Sequence, residues 1–194
     1  MARRSIDLLL ATHPDWVKVV LADFDAFLQD HANCERKASA LAMSLVVKHP
    51  DRTRILPTLI ALAQEELEHF RQVYELMVSR GLELVKDIQD PYVNQLMACM
   101  RHGREPRFLD RLLVSSLVEC RGAERFGIIA NALDDESLKA FYTALWKAET
   151  KHGHQFVDMA LKYADPQTIQ TRLQELAEQE AEIVQRLEWR ASLH

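Results

Sequence analysis

The chain is expected to be all-α, built as a four-helix bundle, and three observations say so. Segments rich in Ala, Leu, Glu, Lys and Gln, with apolar residues recurring every three or four positions, run through most of its 194 residues. Only five Gly and six Pro interrupt them, and no run shows the two-residue alternation of a strand bounded by turns. The third observation is an internal repeat. A shift of 83 or 84 residues superposes a Glu followed later by Glu-x-x-His in the first half on the same set in the second.

Taken in order, His13-Pro14-Asp15 opens a short helix, and a long first bundle helix spans about Asp23 to Lys48, stopped by Pro50. A second runs from about Arg52 to Arg80, with Gly81 as its C-terminal stop. The connection from Leu82 to Pro106 is long enough to carry the chain back along a bundle and is expected to hold a short helix near Tyr92 to Met100. A third bundle helix covers about Arg107 to Ala132, and Asp134-Asp135 caps a fourth from about Glu136 to Tyr163. Asp165-Pro166 starts a last, charged helix, amphipathic and therefore placed outside the bundle or against another subunit. No linker or low-complexity stretch divides the chain, so residues 1–194 are read as a single domain.

Composition narrows the function. No apolar stretch approaches the roughly 20 residues a membrane span needs, and the opening MARRSIDLLLATHPDW has too short an apolar run for a secretory signal, so a soluble cytoplasmic protein is expected. Cys34, Cys99 and Cys120 are odd in number and lack Cys-x-x-Cys spacing, which argues against a disulfide framework or thiolate zinc site; they are read as small buried thiols near the core, with a redox role as the alternative. A net charge of −5 disfavours a generic nucleic-acid binder. Locally, though, Arg101, His102, Arg104, Arg107 and Arg111 cluster between the halves, and Arg3 and Arg4 stand at the start. Such a run is either a solvated face or a basic docking surface.

The repeated residues carry the chemistry: Glu35 with Glu66 and His69, then Glu119 with Glu149 and His152. Residues three apart on a helix share a face, so each Glu-x-x-His can aim at one metal ion, and a neighbouring helix adds another carboxylate. With 16 Glu and 8 His in the chain, chance alone supplies about two-thirds of a Glu-x-x-His pair. The matched spacing is the stronger signal, 31 residues from Glu35 to Glu66 and 30 from Glu119 to Glu149. Each ligand also interrupts an apolar stripe: Leu28, Glu35, Ala42; Leu62, Glu66, His69, Val73; Leu112, Glu119, Ala123, Phe126; Leu145, Glu149, His152, Phe156. Lone carboxylates buried there would cost several kcal/mol, which bound cations remove.

Four Glu and two His in a bundle form the set found in ferritin-like di-iron and di-manganese proteins. Glu66 and Glu149 are the expected bridges between two ions. Hard, flexible carboxylates suit a redox-active metal, whereas structural zinc usually takes four thiolate or imidazole ligands. His31, one turn before Glu35, is either a supporting partner or a core histidine. His154 is expected off the metal-facing side, Glu65 and Glu68 in solvent, and Tyr74 and Tyr142 in the core.

Around these ligands, Asp30 to Ala42 (DHANCERKASALA), Ala63 to Phe70 (AQEELEHF), Leu113 to Phe126 (LVSSLVECRGAERF) and Ala148 to Phe156 (AETKHGHQF) resemble the bacterial tRNA hydroxylase family that acts on 2-methylthio-isopentenyl-adenosine. The resemblance extends over most of the chain. It implies a monooxygenase with two iron ions, dioxygen as co-substrate, tRNA as substrate and an external reductase or ferredoxin-like electron donor. Breaking an unactivated allylic C–H bond does need a strong oxidant, and the modified base would have to leave its stack to reach it. The competing readings are another di-iron oxidase or peroxidase of rubrerythrin type, an iron-oxidising storage protein, and a metal-free helical adaptor.

Overall fold

The computed structural model describes residues 8–194, so Arg3 and Arg4 lie outside the described residues. Seven helices are seen among them and no strand: α1 (Trp16–Ala22), α2 (Phe24–Lys48), α3 (Leu56–Ser79), α4 (Pro91–Ala98), α5 (Arg104–Ala132), α6 (Glu136–Ala160) and α7 (Pro166–Arg186). None is long and apolar enough to cross a membrane.

Aspartates start four of them. The carboxylates of Asp23, Asp90, Asp135 and Asp165 accept first-turn backbone N–H groups of α2, α4, α6 and α7, satisfying donors that have no partner within a helix. Three boundaries differ from expectation by three residues or more: α6 ends at Ala160 rather than Tyr163, the chain passing into a turn, and two helix starts differ because of proline. Residues 52–55 form a turn and α3 begins only at Leu56, with Pro57 in the first turn, where its fixed φ fits and no N–H is needed. Pro106 likewise sits in the first turn of α5, which therefore starts at Arg104, following Gly103 at φ 94°. The stop at Gly81 is as expected. With φ 73° it lets Leu82 N–H reach back to the Met77 carbonyl at 2.9 Å.

The chain groups into two compact units. One, Lys18–Ile88 with Trp189–Leu193, is the α2/α3 hairpin. Phe27, Leu28, Ala42, Leu45, Leu59, Leu62, Val73 and Met77 form its core, and Ser39 Oγ donates to the Ala63 carbonyl at 2.7 Å between the helices. The segment after α3 is tied to α2 by Gln29 and Asn33, which donate to the Glu83 and Val85 carbonyls, and by Lys37 on Asp87 at 3.0 Å.

The other unit contains Gln89–Glu188, the segment ending at Val17, and His194. Its α5 and α6 pair along their length, while α4 and α7 pack on α5 and on each other. The amphipathic last helix thus packs outside the α5/α6 pair. What fastens it is charge: Arg121 on α5 is fully buried and donates to both oxygens of buried Glu180 on α7, at 2.9 and 3.0 Å. Tyr92 Oη donates to the same carboxylate at 3.1 Å, and Thr12 Oγ1 donates to Glu124 at 2.6 Å. Near one end, buried Asp110 accepts from Arg101 at 2.7 Å and from Arg172 at 3.0 Å.

Removing one partner of such a buried pair strands the other charge. Glu180→Ala is therefore expected to lower unfolding free energy by about 3–5 kcal/mol in urea titration, whereas Arg121→Met with Glu180→Leu should recover most of it. A loss below about 1 kcal/mol in Glu180→Ala would show that the pair is not what holds α7.

Candidate metal centre

In the α2/α3 unit, helical period does the positioning. Glu35 sits on the apolar stripe of α2, and Glu66 and His69 lie one turn apart on that of α3. All three are buried, Glu35 to 4%, Glu66 to 1% and His69 to 8% exposure. His69 Nδ1 stands 3.2 Å from Glu66 Oε2 and 3.7 Å from Glu35 Oε2. Each of the three offers a ligand atom within 4.8 Å of the others.

The α5/α6 unit repeats the arrangement. His152 Nδ1 lies 3.2 Å from Glu149 Oε2, the same separation as its counterpart, and both residues are buried. Glu119 on α5 brings a carboxylate oxygen within 4.8 Å of their ligand atoms but is only half-buried. All six sequence-derived residues are therefore assembled, three in each unit.

Two carboxylates and one imidazole per unit, five of the six residues buried and Glu119 half-buried, fit a first-row divalent or trivalent metal well. Buried ionised carboxylates require compensating positive charge, and the Oε2 and Nδ1 atoms of each Glu-x-x-His turn toward each other as donors to one ion would. Thiolate is absent from both sets, which suits iron or manganese rather than structural zinc.

Around the ligands, several expectations sharpen. His31 is fully buried and its Nε2 is 2.7 Å from Glu35 Oε1, so it touches a candidate ligand. His154 is half-buried and not among the clustered residues. Glu68 is exposed and pairs with Arg71, but Glu65 is half-buried rather than fully in solvent. Tyr142 is core, as expected; Tyr74 is 42% exposed although its neighbour Val73 is fully buried, the next position round the helix having left the buried stripe. The basic cluster shrinks as well. Arg101 is engaged with Asp110, and Arg111 is half-buried against Met97, leaving His102, Arg104 and Arg107 exposed.

Sequence reasoning missed Gly153. A Cβ there would stand 2.7 Å from Cys120 Sγ and 3.4 Å from the Ser116 carbonyl, so the missing side chain is what lets α6 approach α5 beside His152. Ser116 Oγ seals that approach by donating to the Gly153 carbonyl at 2.8 Å. A glycine inside a long helix, next to a ligand and costing about 1 kcal/mol against alanine, was the available signal. Cys120 is a packing thiol there: burial pushes its pKa up to about 11, so it stays protonated at neutral pH.

A chain from Synechococcus described as Protein 43 with aldehyde deformylating oxygenase activity superposes with a TM-score of 0.91 at 32% identity, covering 97% of this chain and 96% of that one. The fold is thus the all-helical ferritin-like one in which duplicated Glu and Glu-x-x-His sets recur. Within that class, the chain belongs to the tRNA-(MS[2]IO[6]A)-hydroxylase (MiaE) family, which matches residues 2–194. The tRNA 2-(methylsulfanyl)-N(6)-isopentenyladenosine(37) hydroxylase of Pseudomonas putida is 34% identical over 173 residues, 89% of this chain and 84% of that protein. The protein of the same name from Salmonella typhimurium is 29% identical over 131 residues, 68% of this chain and 48% of its own length.

Gly153→Ala should overpack the α5/α6 contact, costing about 1–3 kcal/mol in thermal or urea unfolding, and should weaken metal retention beside it. Adding Cys120→Ala should restore both. Equal destabilisation in single and double variants would place the strain elsewhere.

Proposed function

We propose that this protein is a cytoplasmic, iron-dependent monooxygenase that hydroxylates the isopentenyl group of 2-methylthio-isopentenyl-adenosine in tRNA. Two Glu, Glu and His sets, buried except for half-buried Glu119, in a chain of this family are the observation that carries the reading. Glu35, Glu66 and His69 would hold one iron ion, and Glu119, Glu149 and His152 the other. Iron bound there supplies redox chemistry with dioxygen, and the balance is substrate C–H, O2, two electrons and two protons giving C–OH and water. The electrons come from an external donor of reductase or ferredoxin type.

The protein's own groups do the rest. The carboxylates would tolerate a change of oxidation state, while each imidazole would take one position on an ion and leave others open. Apolar neighbours such as Leu62, Val73, Ala123, Phe126 and Phe156 keep water scarce around the ligands, which protects a reactive oxidant from wasteful reduction. His102, Arg104 and Arg107 offer the positive charge that a phosphate backbone needs.

The direct test is to reduce the iron-loaded protein, add tRNA bearing the isopentenyl modification, admit dioxygen and analyse the nucleosides by mass. A gain of one oxygen on the modified adenosine is expected, and none with His69→Ala or Glu149→Ala. Consumption of dioxygen without hydroxylated nucleoside would point to a plain oxidase. For docking, Arg104→Glu with Arg107→Glu should weaken tRNA binding and flatten the log–log salt slope by up to about 2, roughly 0.9 per lost phosphate contact. An unchanged slope would make this cluster an ordinary solvated face.

A further inference from the structure

The acidic net charge conceals a basic face on α6. From Ser137 to Val157 the helix carries Lys139, Lys147 and Lys151 against a single acid, Glu149, and that acid is buried. At about 100° per residue, Trp146, Lys139, Thr150, Lys147 and Lys151 fall within an arc of about 140°. Trp146, Lys147, Thr150 and Lys151 are exposed, and half-buried Lys139 lies 3.8 Å from Glu136. The helix that brings Glu149 and His152 to the metal set thus turns positive charge outward, with one large aromatic at the edge of the charged arc.

Trp146 is held in a particular way. It is 42% exposed, yet a Cβ built on buried Gly127 of α5 would stand 3.2 Å from both Cδ2 and Cε2 of its indole and 3.5 Å from Nε1. Cδ2 and Cε2 are the carbons shared by the two rings. They have no outer edge, so a neighbour comes nearest to both only over the face of the indole. One face therefore lies on α5 in the space that Gly127 leaves, and the exposure belongs to the other face and the rim. A tryptophan fixed in this way suits stacking, since every nucleobase has a π-face and an already ordered ring loses little freedom on contact. Trp146 also precedes Glu149 by one turn and lies about 60° round the helix from it, at the border between the outward arc and the metal-facing stripe.

We propose that the outward face of α6 is an RNA-binding surface, on which Trp146 stacks an unpaired base next to the modified adenosine and Lys147 and Lys151 meet the phosphates beside it. This rests on the reading that the substrate is tRNA. Stacking supplies the part of binding that salt does not screen, and the lysines supply the part that it does. A neighbour parked on Trp146 also breaks the stack in which the modified base would otherwise stay, at a point one helical turn from Glu149.

The test is equilibrium binding of the protein to tRNA bearing the isopentenyl modification, measured over a range of salt and by tryptophan fluorescence. Wild type should bind with quenching of its indole emission. Trp146→Leu should bind about tenfold more weakly with its salt slope unchanged, whereas Trp146→Phe, which keeps a ring, should bind nearly as wild type but lose most of the quench. Lys147→Gln with Lys151→Gln should instead lower the log–log salt slope by up to about 2, roughly 0.9 per lost phosphate contact. Circular dichroism establishes that each variant is folded; should Trp146→Leu fail to fold, the quench in Trp146→Phe and the slope of the lysine variant decide. Wild-type affinity in folded Trp146→Leu, a quench that persists in full in Trp146→Phe, or an unchanged slope in the lysine variant would overturn the inference. Wild-type protein with no affinity for this tRNA would instead overturn the tRNA reading beneath it.

Discussion

Four carboxylates placed on apolar helix stripes are the constraint on which the rest of this structure depends. Ionised and uncompensated, each would cost several kcal/mol, comparable in sum to the whole stability of a domain this size. Protonation would relieve the cost but would leave the paired Glu-x-x-His geometry without a purpose. Bound cations relieve it while using every donor, so folding and metal binding are expected to be coupled in this chain.

Such coupling needs a frame stiff enough to keep the donors together. In one unit, Ser39 on the Ala63 carbonyl closes the hairpin, and contacts from Gln29, Asn33 and Lys37 fasten the following segment to the back of α2. In the other, the space left by Gly153 admits Cys120, and Ser116 bonds across the same point. Farther out, Arg121 with Glu180 and Asp110 with two arginines brace α5 from the side opposite Glu119. The donors are thus supported by short polar contacts between helices rather than by apolar packing alone.

Much of this was legible beforehand because it is periodic. Helical spacing brought out the apolar stripes, the repeat brought out all six residues that the structure gathers into the two Glu, Glu and His sets, and Asp135, Asp165 and Gly81 marked ends that the structure keeps. What escaped was pairwise. Nothing about Arg121 as a letter says that it is buried, since its partner Glu180 is 59 residues away and a helix face cannot reveal which outer helix will cover it. Tyr74 failed for a related reason: it lies one residue past buried Val73, and a single-residue step of about 100° is enough to pass from core to solvent. The basic cluster looked uniform because the acid that claims Arg101 lies on the next helix.

The central claim is that the two buried sets are iron ligands. Its most direct measurement is elemental analysis combined with iron-edge X-ray absorption on protein produced in iron-rich medium. Close to two irons per chain, surrounded by oxygen and nitrogen with no sulfur scatterer, is the predicted result. Stoichiometric zinc without iron, or iron bound through sulfur, would contradict the account.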